Sequence, residues 1–141
     1  MLDRAISITA QAFEGKFDQG GHPYILHCLW VMNHLYTDDE ELMCIGVMHD
    51  LFEDTPWTEA QLREEGFSER VVEGVVGVTH LPTESYDEYV ERTAEKLDTR
   101  KVKKTDLRHN MDPTRMKGIR QKDLDRIVKY SKAYHRLSRV E

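Results

Sequence analysis

The sequence predicts an all-α fold, a helical bundle built around one central helix that is apolar nearly all round. Three observations predict it. Apolar residues recur at helical spacing along almost the whole 141-residue chain, two capping-box signatures open helices, and the single β-branched run has no partner strand elsewhere. A mass of 16.6 kDa suits one domain over residues 1–141 with a core of its own. Hydrophobic residues at 39% and charged residues at 33% match a folded soluble domain rather than a disordered or membrane chain.

The elements follow in order. Leu2, Ala5, Ile6, Ile8 and Phe13 give the first helix an apolar stripe. Gly15 and Gly20-Gly21-His22-Pro23 interrupt it, since glycine opens turn geometry and proline suits a helix start. The second helix is expected from about Pro23 to Leu35. Asp38 or Asp39 caps the third, whose Leu42, Met43, Ile45, Val47 and Met48 belong at the centre of a core. Pro56 ends that helix by pushing its predecessor out of the helical region. Thr58 with Gln61 opens a short fourth helix. Ser68 caps a fifth through Val71, Val72, Val75, Val76 and Val78, a run whose β-branching also suits a strand; Gly74 and Gly77 weaken either reading. Ser85 with Glu88 opens a helix through Tyr89, Val90 and Ala94, and helices over Lys101–Asn110 and Leu124–Leu137 complete the chain.

Composition excludes several classes. Cys28 and Cys44 lie in apolar stretches and make no disulfide framework, so a reducing, cytoplasmic setting is expected. No run of about 18 apolar residues exists to cross a membrane, and the N-terminus lacks the apolar stretch of a signal peptide. The formal charge of −6 argues against a general nucleic-acid binder. That average conceals two halves. Residues 1–98 carry six basic and 21 acidic side chains, net −15, whereas residues 99–141 carry 14 basic and five acidic, net +9.

The sharpest chemical feature is His49-Asp50-x-x-Glu53-Asp54 at the end of the most apolar helix. Four ionisable groups there are costly to desolvate unless a metal or partner charge compensates them. The i, i+4 spacing of His49 with Glu53, and of Asp50 with Asp54, predicts that each pair shares one helix face. A bare His-Asp pair is more often a solvated helix end, and a lone His27 on an apolar helix is more often a satisfied core residue. Taken with Asp106 on a late helix, however, the three segments form a mixed nitrogen and oxygen set suited to Mn²⁺, Fe²⁺ or Zn²⁺. Open coordination positions on such a set suit hydrolysis.

At this point the sequence resembles the HD-domain phosphohydrolases through His27, His49-Asp50 and Asp106. It is most similar to the hydrolase domain of the (p)ppGpp synthetase/hydrolases and their small single-domain relatives. Gly21-His22-Pro23-Tyr24-Ile25-Leu26-His27 resembles that family's Gly-x-Pro-Tyr-Ile-x-His segment, and His49-Asp50-Leu51-Phe52-Glu53-Asp54-Thr55 its His-Asp-x-x-Glu-Asp-Thr signature. Gly74-Val75-Val76-Gly77-Val78-Thr79 is similar to the helix that follows. Lys103-x-x-Asp106-Leu107-Arg108-His109-Asn110 resembles the family's Lys-x-x-Asp-x-x-x-Asn motif. The matches run in the family's order over about residues 10–137.

The resemblance implies an HD-domain bundle in which His27, His49, Asp50 and Asp106 hold one divalent metal, typically Mn²⁺. It implies that Glu53 and Asp54 activate the attacking water and move protons, and that Asn110 lies by the nucleoside sugar or phosphate. The implied reaction removes a 3′-pyrophosphate from a small-molecule guanosine nucleotide. With 141 residues there is no room for a synthetase domain, so synthesis is not expected of this chain. Relatives usually carry a histidine where Phe13 stands and a basic residue near Gln19. Here Lys16 is the nearest cation and Phe17 is placed to stack on a base, so the departures bear on base recognition. Cys28 replaces a common proline.

Basic residues surround and follow Asp106. Lys103, Lys104 and Arg108 flank it, and Arg115, Lys117, Arg120, Lys122 and Arg126 come after. They suit a rim for a phosphorylated substrate, with Lys103, Lys122, Arg126 and Lys16 as candidate contacts, or equally an exposed face that pairs with the acidic half. Two other functions remain open. One is an HD phosphohydrolase for a different nucleotide, such as a deoxynucleoside triphosphate, a nucleoside monophosphate or a cyclic dinucleotide. The other is a non-catalytic nucleic-acid-binding module that uses the basic half. A homo-oligomer is compatible with the sequence.

Overall fold

Asp39 starts the central helix by accepting a hydrogen bond from the Leu42 backbone N–H, with Glu40 and Glu41 in the first turn favouring its positive end. In a computed structural model, which describes residues 1–139, this helix is α3 (Glu40–Val47). Before it come α1 (Leu2–Ala12) and α2 (Ile25–Asn33). After it come α4 (Leu51–Asp54), α5 (Glu59–Glu64), α6 (Glu69–Gly77), α7 (Tyr86–Ala94), α8 (Leu97–Asn110), a 3₁₀ turn at Pro113–Arg115, and α9 (Gln121–Ser138). Among the described residues there is no strand, only an isolated antiparallel bridge between Phe17 and Pro23.

The expected caps form. Thr58 with Gln61 and Ser85 with Glu88 each close both hydrogen bonds of a capping box. Ser68 caps α6, so the valine run is helical, and it buries Val71, Val72 and Val75. Gly74, which weakens a helix by propensity, is there for packing. A Cβ at this position would overlap the Ile45 side chain, so the glycine lets α6 lie close on α3.

Several boundaries differ from expectation. α2 covers Ile25–Asn33 rather than Pro23 to Leu35, α8 begins at Leu97 rather than Lys101, and α9 at Gln121 rather than Leu124. More consequentially, the central helix does not run through to Pro56. It stops at Val47, and Met48 (φ −96°, ψ 7°) and Asp50 (φ −98°, ψ 4°) take bridge-region conformations before the single turn of α4. Thr55 is then extended, as Pro56 requires.

The main core centres on α3. Ile45, Val47, Met48 and Leu51 are fully buried and pack with Val31 of α2, Val71, Val72 and Val75 of α6, and Val102 of α8. α1 lies against α3 and α2. A second, smaller cluster of Val90, Ala94, Leu107, Ala133 and Leu137 joins α7, α8 and α9. α8 therefore belongs to both cores. Cys28 and Cys44 are buried free thiols, and among the described residues no helix is long and apolar enough to cross a membrane.

Candidate metal centre

Three elements deliver four ligand-type side chains to one point. His27 comes from the first turn of α2, His49 and Asp50 from the break between α3 and α4, and Asp106 from the middle of α8. One atom from each lies within 4.8 Å of all the others. His27 and His49 are each 2% exposed and Asp106 is 4% exposed, so these groups are withdrawn from bulk water. The break at residues 48–50 lets consecutive residues point the same way, which a continuous helix would not allow.

The proton positions follow from the partners. The Gly46 carbonyl, 2.8 Å from Nδ1 of His49, can only accept, so Nδ1 carries the proton and the Nε2 of a neutral ring offers a lone pair. That Nε2 faces Asp50 Oδ2 at 3.0 Å, Asp106 Oδ1 at 3.2 Å and His27 Nε2 at 3.2 Å. His27 Nε2 in turn lies 3.0 Å from Asp106 Oδ1 and 3.6 Å from Asp50 Oδ2. Lone pairs that converge in a dry site require a positive charge among them. Two imidazoles and two carboxylates form a donor set that fits Mn²⁺, Fe²⁺ or Zn²⁺. Burial opposes charging His49, yet the Asp50 and Asp106 carboxylates outweigh it and raise its pKa well above the ordinary histidine value.

Neighbouring groups hold both carboxylates. Burial would push Asp106 up, but Lys103 and His49 hold it well below the usual range. Lys103 Nζ donates to Oδ2 at 2.9 Å, and Asn110 Nδ2 donates to Oδ1 at 2.8 Å. Tyr24 Oη donates to Asp50 Oδ2 at 2.5 Å.

The other sequence-selected residues are placed as follows. Lys103 is buried, with its ammonium on Asp106 and 4.9 Å from the Tyr89 ring centroid, rather than on an open rim. Glu53 lies on the single turn of α4, beyond the break. Its Oε1 accepts the His80 backbone N–H at 2.5 Å. Lys16 Nζ donates to the Asp54 carbonyl at 2.5 Å. Partial desolvation raises the pKa of both Glu53 and Asp54; the His80 N–H opposes the rise in Glu53, and the Asp50 charge adds to it in both.

A cavity of about 340 Å³ opens beside the centre and shares Tyr24 and Asn110 with it. Its wall includes Arg115, Lys117, Arg120 and Arg126, together with Gln19 and the 62%-exposed ring of Phe17. Lys122 is exposed on the first turn of α9, outside that wall. Arg115 ties the wall together by donating to Asp18, the His109 carbonyl and Asn110. Phe13 stacks on Tyr24 at 4.9 Å within the core.

Tyr24 and His109 are the two site residues to which sequence reasoning gives no role. Each lies three residues from a candidate ligand, Tyr24 before His27 and His109 after Asp106, and Tyr24 also stands in the Gly-x-Pro-Tyr-Ile-x-His segment.

No protein-family model matches the chain. It is 44% identical over 77 residues to the guanosine-3′,5′-bis(diphosphate) 3′-pyrophosphohydrolase of Haemophilus influenzae, covering 52% of this chain and 11% of that protein. It is 34% identical over 97 residues to the bifunctional (p)ppGpp synthase/hydrolase SpoT of Escherichia coli K12, covering 67% and 14%. A GTP pyrophosphokinase of Myxococcus xanthus is 35% identical over 83 residues, covering 57% and 11%. The chain thus corresponds to only about a ninth to a seventh of the length of these curated relatives. A solved structure described as a metazoan ortholog of SpoT that hydrolyzes ppGpp superposes with a TM-score of 0.80, over 96% of this chain and 84% of that one, at 19% identity. The chain therefore has an HD-domain helical fold and is (p)ppGpp-hydrolase-like in sequence.

Proposed function

We propose that this (p)ppGpp-hydrolase-like HD domain, residues 1–141, is a metal-dependent hydrolase that removes the 3′-pyrophosphate of (p)ppGpp, giving GDP or GTP and pyrophosphate. The observation that carries the proposal is the convergence of four donor atoms within 4.8 Å, three of them on buried residues, beside a cavity walled by four cationic side chains. The substrate class is taken from the names of the relatives given above.

His27, His49, Asp50 and Asp106 would hold one divalent ion, Mn²⁺ by preference. When bound, such an ion neutralises phosphate charge and lowers the pKa of water. Lys103 and Asn110 keep the Asp106 carboxylate oriented. Glu53 and Asp54, whose pKa values lie above the ordinary range, move protons to and from the attacking water and the leaving group. Arg126, with Arg115, Lys117 and Arg120, receives the diphosphate charge that one ion leaves uncompensated. Lys16 anchors the Asp54 turn, Asn110 faces the sugar side of the cavity, and Phe17 offers its face to the base. Two buried free cysteines suit a cytoplasmic setting.

The test is a panel of ppGpp, pppGpp, GTP and deoxynucleoside triphosphates incubated with Mn²⁺-loaded protein, with pyrophosphate and phosphate measured. Pyrophosphate from ppGpp and pppGpp is expected. Release from other nucleotides only would overturn the substrate assignment, and no release from any would overturn the reaction class.

A further inference from the structure

The ring of His27 is gripped on both edges by one helix. Asp106 of α8 sits 3.0 Å from Nε2, and His109, one turn further along α8, places its Nδ1 2.7 Å from Nδ1 of His27. The two imidazole planes differ by only 4°, and their centroids are 5.0 Å apart. Coplanar rings at that separation, with nitrogens this close, aim an N–H of one along the lone pair of the other. The pair is buried, and Trp30 covers the far face of His109 with centroids 4.1 Å apart and planes 10° apart.

Only one proton arrangement suits a ligand at Nε2. For His27 to offer a lone pair there, its proton must reside on Nδ1, and that proton needs an acceptor. The acceptor in place is Nδ1 of His109, whose own proton then sits on Nε2. In metal sites this outer position is usually filled by a carboxylate or carbonyl, which accepts by nature. An imidazole can accept only as one tautomer.

We propose that His109 is a positioning residue that fixes the tautomer and direction of His27 as a metal ligand. This rests on the metal reading given above. The role requires an acceptor at the Nδ1 position, whereas mere packing against Trp30 and His27 requires only a flat ring.

Two variants of the full chain separate these. His109→Phe keeps the ring and removes the acceptor; His109→Asn places an amide oxygen near the former Nδ1 and removes the ring. Mn²⁺ affinity is read from the electron paramagnetic resonance signal of free Mn²⁺. His109→Phe is expected to weaken binding by about 10- to 100-fold, and His109→Asn to recover most of that loss. Equal binding by His109→Phe and wild type, or failure of His109→Asn to recover any of it, overturns the proposal. A measurement on wild type covers the case in which a variant does not fold. In the Zn²⁺-saturated chain, ¹⁵N shifts should show a proton on His27 Nδ1 and none on His109 Nδ1, and the opposite pattern overturns the assignment. Wild-type protein that binds neither Mn²⁺ nor Zn²⁺ would instead sink the metal reading itself.

Discussion

Nζ of Lys103 and Oδ2 of Asp106 lie 2.9 Å apart on one face of α8, and both side chains are buried. Each keeps the other ionised against the cost of burial. Replacing Lys103 with Met removes the largest counter-charge of a buried carboxylate. The metal-free variant should lose about 3 kcal/mol of stability in urea unfolding, and saturating Mn²⁺, which supplies another counter-charge, should shrink that loss. An unchanged midpoint without metal would show that the pair is not a stabilising contact.

Asp106→Ala deletes one of four candidate ligands and strands Lys103. Stoichiometric Mn²⁺ should no longer survive gel filtration and metal analysis. Retention of one ion per chain would remove Asp106 from the ligand set.

Tyr24→Phe deletes the hydroxyl that donates to Asp50 and nothing else. A hydrogen bond to a charged group contributes about 1.5–3 kcal/mol. Mn²⁺ affinity should therefore fall by about tenfold while the helical circular dichroism stays unchanged; wild-type affinity would show that the hydroxyl does not orient the carboxylate.

Glu84 is held down at about 2 by Arg92, which also donates to the carbonyls of Gly77 and Thr79. A carboxyl with a depressed native pKa adds stability above its unfolded pKa, near 4.3 for glutamate, and loses it as pH falls toward the native value. Between about pH 4.3 and 2 the wild type should lose this contribution and Glu84→Gln should not. Parallel stability curves for the two proteins over that window would contradict the assignment.

Gly74→Ala introduces a methyl group that would overlap the fully buried Ile45 side chain. Overpacking costs about 1–3 kcal/mol, partly offset by helix propensity of about 1 kcal/mol. A net loss of about 1 kcal/mol is expected, and combining the change with Ile45→Val should be less than additive. A stabilised single variant would mean that α6 can shift away from α3.

How much of this was legible beforehand depended on whether the signal was local. Helix caps are local, so Thr58 and Ser85 announced their helices through capping boxes, whereas the run after Ser68 reads as helix because it has no partner strand. The candidate ligands became legible only when His49-Asp50 was read together with His27, Asp106 and the family resemblance, and these four side chains do converge. The break at Met48–Asp50 was not legible, since nothing in Val47-Met48-His49-Asp50 disfavours a helix; the inward pull on His49 and Asp50 is a tertiary effect. The contact of Glu53 with the His80 backbone N–H is likewise tertiary and has no local signal. Lys103 could be placed near Asp106 from its i, i+3 spacing, but whether it faced solvent or the core depended on α7, whose Tyr89 covers it.

α8 belongs to both hydrophobic clusters and also carries Lys103, Asp106, His109 and Asn110. Contacts at the centre therefore join parts of the chain 57 and 82 residues apart. A bound ion would act as a non-covalent cross-link between the acidic front of the molecule and its basic rear. Occupancy at 100 times Kd adds about 2.7 kcal/mol to a fold that alone can bind it. Chelation would thus do more than silence chemistry. It would loosen the α8–α9 end, which Val102 still ties to the main core, and protease cleavage after the basic residues of α8 and α9 should rise on chelation.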